Sequence, residues 1–183
     1  MRVEPELDEV VNGDRGMLRA IDVCLQQQCL VAAVSLIFAS IDALAALTRP
    51  DPSKSTTKQV FISWVDKYLK PEENLGCHAV DLYSARCAVL HTYSTDSDLV
   101  RKGEARPIVY EWQAGPRADA AVLLPPEALI IHVEALNRTF RAGVRAFIID
   151  SETDLETKGR VLLNLKTMLC YRPWPQLIVY QAA

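Results

Sequence analysis

Asp81-Leu82-Tyr83-Ser84-Ala85-Arg86-Cys87-Ala88-Val89-Leu90-His91-Thr92-Tyr93-Ser94 contains neither Gly nor Pro, and one arginine and one histidine stand in an otherwise apolar run. Ala79, Leu82, Tyr83, Leu90 and Tyr93 recur at helical spacing. The stretch therefore predicts a helix, which the polar residues Thr95-Asp96-Ser97-Asp98 end. Wound at about 100° per residue, Arg86 falls in the middle of the apolar stripe. A guanidinium there is costly unless its charge is paired or faces a water-filled cleft.

The two polar residues suit one chemistry. An imidazole exchanges a proton near neutral pH, and a guanidinium is a rigid fork of donors that matches phosphate. Together they can cleave RNA without a metal: His91 deprotonates a ribose 2′-hydroxyl while Arg86 neutralises charge growing on the phosphorane. On an ideal helix, residues five apart are splayed by about 140° and lie about 7.5 Å apart along the axis. One straight helix cannot bring both to one phosphate, so either the helix loosens near His91 or a second chain contributes. The alternative is structural, with Arg86 a core arginine paired to a carboxylate and His91 a cap at the helix C-terminus.

Arg-x-x-x-x-His on a helix that breaks into a polar loop resembles the signature of the HEPN superfamily of helical ribonucleases. Arg86-Cys-Ala-Val-Leu-His91-Thr-Tyr93 is similar to the fuller Arg-x4-His-x-Tyr form of HEPN toxins, and the resemblance covers roughly Met17 to Ser97. It implies a homodimer that joins both motifs in one cleft, single-stranded RNA as substrate, a 2′,3′-cyclic phosphate product and neither metal nor cofactor. It also implies a toxin-antitoxin or phage-defence setting. Tyr93 would then be the position where a nucleotidyltransferase-like antitoxin attaches AMP; the alternative is an amphipathic tyrosine capping the core.

Upstream, residues 1 to 13 are acidic and predict a frayed lead-in, and Asp14 to about Leu47 reads as helix, with a break possible near Gln26-Gln27-Gln28. Asp42 sits there among Ile41, Leu44 and Leu47. A buried carboxylate needs a partner, and Arg86 is the natural one; an acidic residue on the preceding long helix also fits the HEPN pattern. The other reading leaves Asp42 facing water at a helix edge. Thr56 to Leu69 predicts a short amphipathic helix with Val60, Phe61, Trp64, Val65, Tyr68 and Leu69 in the core. The motif helix then runs from about Asn74 to Tyr93. Cys77, His78, Cys87 and His91 could suggest zinc, but the first two are adjacent and lack the spacing of a zinc knuckle, so no metal site is expected.

Downstream, Pro107 to Trp112 reads as a strand and Ala120 to Leu124 as its hairpin partner. Pro125-Pro126-Glu127 opens a helix to about Ile149 with the stripe Leu129, Val133, Leu136, Phe140, Val144 and Phe147. Arg138, Arg141 and Arg145 share one side of it. They, and Arg101, Lys102 and Arg106 beside the motif, are the candidate contacts for an RNA backbone; Glu134, four residues before Arg138, argues for a solvated face instead. Ser151-Glu-Thr-Asp154 predicts a capping box for a last helix to about Leu169, with Leu155, Leu162 and Leu165 inward. Leu177 to Tyr180 reads as an edge strand.

The chain thus predicts a mainly α, up-and-down helical bundle of HEPN-like form: one domain over 1–183, with core helices over about 14–97, a small β-hairpin insertion over about 107–124 and C-terminal helices over about 126–170. Half of the 183 residues are hydrophobic, enough for a substantial core. A net charge of -3 and a pI near 5.6 exclude a general nucleic-acid coat, so any RNA contact must be a local basic patch. The longest apolar run, Cys29 to Ile41, is interrupted by serines and is too short for a bilayer. Five cysteines without a Cys-x-x-Cys pair, and an acidic N-terminus without a secretory pattern, point to a cytoplasmic protein. Seven glycines form no phosphate-binding loop. Against the enzyme stands a catalytically silent HEPN-like module for binding or dimerisation, which the acidic pI favours.

Overall fold

In a computed structural model, residues 4–112, 124–166 and 168 are described. The first helix, α1 (Glu4–Asn12), lies where a frayed lead-in was expected. Glu6, Asp8 and Glu9 face water, while Leu7 and Val11, one turn apart, are buried in the core. That apolar pair anchors it. The long helix predicted over 14–47 is two helices, α2 (Met17–Gln26) and α3 (Leu30–Ala46). The break falls at the glutamines: Gln28 takes a left-handed φ of 58°, and the Cys29 N–H turns back to the Cys24 carbonyl at 2.8 Å. α3 supplies the centre of the core through Ile37, Phe38, Ile41 and Leu44.

Thr57 caps α4 (Lys58–Trp64), its hydroxyl accepting the Val60 N–H. The helix then widens into a π-helical turn, Val65–Leu69, which Lys70 closes in the left-handed region (φ 47°). Trp64, Tyr68 and Phe147 form an aromatic cluster, with ring centres 5.2 to 5.8 Å apart. Across this contact Gly143 leaves no room: a Cβ there would lie 2.7 Å from Leu69 Cδ1 and 3.0 Å from the Tyr68 carbonyl oxygen. Gly143→Ala is expected to destabilise, because overpacking of about 1 to 3 kcal/mol exceeds the helical gain of about 1 kcal/mol. Thermal melting checks the sign; a raised melting temperature would mean that the π turn yields easily.

After α5 (Pro71–Leu75) comes α6 (Ala79–Thr92), the motif helix, buried through Leu82, Ser84, Ala85, Ala88 and Val89. A short α7 (Asp98–Arg101) follows, capped by Ser97. Next come β1 (Ile108–Glu111) and β2 (Leu129–His132), which pair in parallel with Ile108 opposite Leu129 and Glu111 opposite His132. The sheet of the described residues is thus a parallel pair, its second strand formed by residues predicted as the start of a helix. Pro125 to Ala128 form a turn closed by the Ala128 N–H donating to the Pro125 carbonyl at 2.9 Å, and the β-branched Ile130 and Ile131 then suit a strand, so the helix predicted from Pro125 starts at Val133 instead. The strand predicted over 120–124 lies, apart from Leu124, outside the described residues, as do Leu169 and the strand at 177–180.

α8 (Val133–Thr153) buries Val133, Leu136, Phe140, Val144 and Phe147 as its stripe requires. Its end moves the predicted cap. Asp154, not Ser151, accepts the Thr157 N–H at 2.8 Å and starts α9 (Leu155–Leu165). The three-residue shift turns Leu155 outward, 86 % exposed, and puts Val161 and Leu165 inside. The described part is mainly helical, and none of its helices is long and apolar enough to cross a membrane.

Candidate functional site

α3 and α6 pack side by side, and each brings one charge to their seam. Arg86 Nε donates to Asp42 Oδ2 at 2.6 Å, and Arg86 Nη2 lies 2.5 Å from the same oxygen. Both side chains keep about a quarter of their surface, 24 % and 23 %. Burial pushes the Asp42 carboxyl above the usual range, against the opposing pull of Arg86 and the weaker pull of His91. Arg86 moves up as well: burial opposes its charge, but the carboxylate and the Cys87 thiol outweigh that. The short contacts on one oxygen favour the ionised pair.

One turn beyond Cys87, His91 is exposed on the last turn of α6 and lines a cleft of about 520 Å3. Tyr83, Cys87 and His91, spaced four apart, form one face of α6 along it, and Lys58, Leu99, Arg101 and Lys102 stand among the other walls. Arg86 is not in the lining; it sits one step round the helix, where Nη1 donates to Cys87 Sγ at 3.9 Å. Burial raises the Tyr83 phenol above its ordinary value, and the adjacent Cys87 adds to the rise. Asp42, Arg86 and His91 therefore form one electrostatic neighbourhood, with the ion pair behind the cleft and the imidazole inside it.

Tyr93 departs from its helical projection. It ends α6 in the left-handed region (φ 51°) and is 72 % exposed. It lines a separate, apolar hollow of about 270 Å3 with Leu30, Val34, Tyr110 and Trp112, not the His91 cleft. The basic candidates divide similarly. Arg101 is held between Asp96, at 2.5 Å, and Asp98. Lys102 is exposed in the cleft wall. Arg106 is tied to the buried Asp81, with Nη2 to Oδ2 at 2.7 Å. On α8, Arg141 bonds Asp22 at 2.9 Å, whereas Arg138 and Arg145 are exposed; none of the three lines the His91 cleft. The four residues weighed as zinc ligands lie at opposite ends of α6. Cys77 is moreover buried, its thiol pushed up to about 12 by burial and then by Asp81.

Two features escaped the sequence reading. Asp81 accepts the backbone N–H groups of His78 (3.0 Å) and Arg106 (2.8 Å) besides the Arg106 guanidinium. Its only signal was an acidic side chain three residues into a helix. Ser84 and Ser97 share a buried hydroxyl hydrogen bond of 2.6 Å that laces the cleft loop to α6, and nothing in the sequence marks it. Comparison of the chain with protein-family models, with curated proteins and with solved structures finds no match.

Proposed function

We propose that this chain is a metal-independent endoribonuclease of HEPN type, acting on single-stranded RNA as a homodimer. The observation that carries the reading is the Asp42–Arg86 ion pair set beside a cleft whose inner face bears His91. His91 takes the proton of a ribose 2′-hydroxyl as that oxygen attacks the adjacent phosphorus. The P–O5′ bond breaks, the 5′-oxygen takes a proton from water whose hydroxide recovers the proton held by His91, and a 2′,3′-cyclic phosphate remains. Arg86, oriented by Asp42, stabilises the charge on the phosphorane.

The dimer is needed because Arg86 does not open into the cleft of its own chain. Support for it comes from α3, which is apolar almost all round yet leaves Val31, Ala32 and Ala39 exposed. Toxin or phage-defence work, with a nucleotidyltransferase-like antitoxin, belongs to the same reading. The test is incubation of single-stranded RNA with the protein in EDTA. Fragments ending in a 2′,3′-cyclic phosphate are expected; cleavage lost on chelation would overturn the metal-free mechanism. Light scattering at micromolar concentration is expected to give the dimer mass, and monomer alone would remove the composite site.

The silent module remains the second reading, favoured by the engagement of Arg86 with Asp42. Arg86→Ala separates the two. As a scaffold residue it should cost about 1 to 3 kcal/mol, the penalty for leaving a half-buried carboxylate unpaired, and spare RNA binding. As a site residue it should carry the same cost, since Asp42 loses its partner either way, and should in addition abolish cleavage.

A further inference from the structure

The cleft contains more than the imidazole. Tyr83 lies two turns before His91 on the same face of α6, about 12 Å away along the axis. Its ring meets Phe61 edge-on, with centres 5.5 Å apart, and Lys58 Nζ lies 5.8 Å from its centre over the ring. Lys58 is exposed at the start of α4 and also lines the cleft. A lysine covering an aromatic ring can be exchanged. Its ammonium is a point charge on a flexible four-carbon stem, and a nucleobase can take its place over the ring while it moves to a phosphate. The charge of the walls points the same way: Lys58, Arg101 and Lys102 face only Asp96 and Asp98, in a chain that is acidic overall.

We infer that Tyr83 and Lys58 form a nucleotide subsite of this cleft, Tyr83 stacking a base near the scissile phosphate and Lys58 pairing with the adjoining phosphate. The inference rests on the nuclease reading for its substrate. Its test does not need cleavage. The probe is a fluorescent single-stranded oligomer of 2′-deoxyadenosine, which lacks the attacking hydroxyl, together with the same backbone without bases.

Tyr83→Leu is expected to weaken binding of the deoxyadenosine oligomer about tenfold, the usual contribution of one base–aromatic stack, and to leave the abasic backbone unaffected. Tyr83→Phe should bind as the wild type does. Lys58→Ala, on an exposed position, should weaken both probes and flatten the salt dependence by about one counterion. Equal binding by wild type and a normally melting Tyr83→Leu variant would overturn the stacking role. Should Tyr83→Leu not fold, Lys58→Ala decides alone: an unchanged salt slope overturns the subsite. If the oligomer binds in this pattern but RNA is never cleaved, the subsite stands and the nuclease falls. Cleavage with no effect of either variant gives the opposite result.

Discussion

His91→Ala is expected to lower cleavage of single-stranded RNA by roughly 10² to 10⁴, the usual loss when a general base is removed. The fold should not change with it. His91 is exposed on the last turn of α6, so alanine there opens no cavity and removes little buried surface. A second consequence follows from Asp42, whose carboxyl His91 draws downward. Loss of the imidazole removes that pull, so Asp42 should titrate at a slightly higher pH in the variant, which carbon-detected NMR of the carboxyl can follow. Cleavage at the wild-type rate by a pure, folded His91→Ala protein would leave the binding module as the better reading.

The largest effect on stability is expected at Asp81, which is only 1 % exposed. Burial by itself would raise its pKa. Hydrogen bonds from the Arg106 backbone and guanidinium and from the His78 N–H outweigh burial and hold it below the ordinary carboxylate range. A depressed folded pKa means that the group stabilises the fold above its unfolded value, 3.8, and loses that contribution as pH falls through the lower folded value. Arg106→Ala removes the guanidinium and leaves a buried carboxylate. Breaking such a pair costs about 3 to 5 kcal/mol, and the lower end applies because Arg106 is itself 36 % exposed and the backbone donors remain. At about 3 kcal/mol, melting at pH 7 should fall by roughly 6 to 12 °C. The acid transition should also move to higher pH, since Asp81 loses the guanidinium's share of the pull that holds its pKa down. A variant that melts with the wild type at pH 7 would show that the backbone donors suffice.

The contrast between these two carboxylates shows what a sequence can disclose. Asp42 and Arg86 each interrupt an apolar helix, and the cost of an unpaired charge in a core makes their meeting legible. Asp81 and Arg106 carry the deeper pair, yet Arg106 lies in a loop without periodicity. The aromatic core of α4 and α8 is legible because large apolar residues repeat at helical spacing. The parallel strands are not, since Pro-Pro-Glu opens helices as readily as it makes the turn found here. Tyr93 misleads for a similar reason: the helical projection holds only while φ stays negative, and the chain turns left-handed at that residue.

The pair at Asp81 also divides the chain in a way that bears on its length. Asp81–Arg106 closes a loop of 25 residues, and Ser84–Ser97 closes one of 13 within it. Once both closures are made, the segment from Asp98 to Ala105 spans two fixed posts. Doubling a loop of this kind costs only about 0.6 kcal/mol in closure entropy. Added residues there would leave the inner loop, and with it the setting of His91, as it is. An insertion between Thr92 and Asp96 would instead strain the serine lace and shift the histidine. Growth of the chain is therefore cheap on one side of Ser97 and costly on the other.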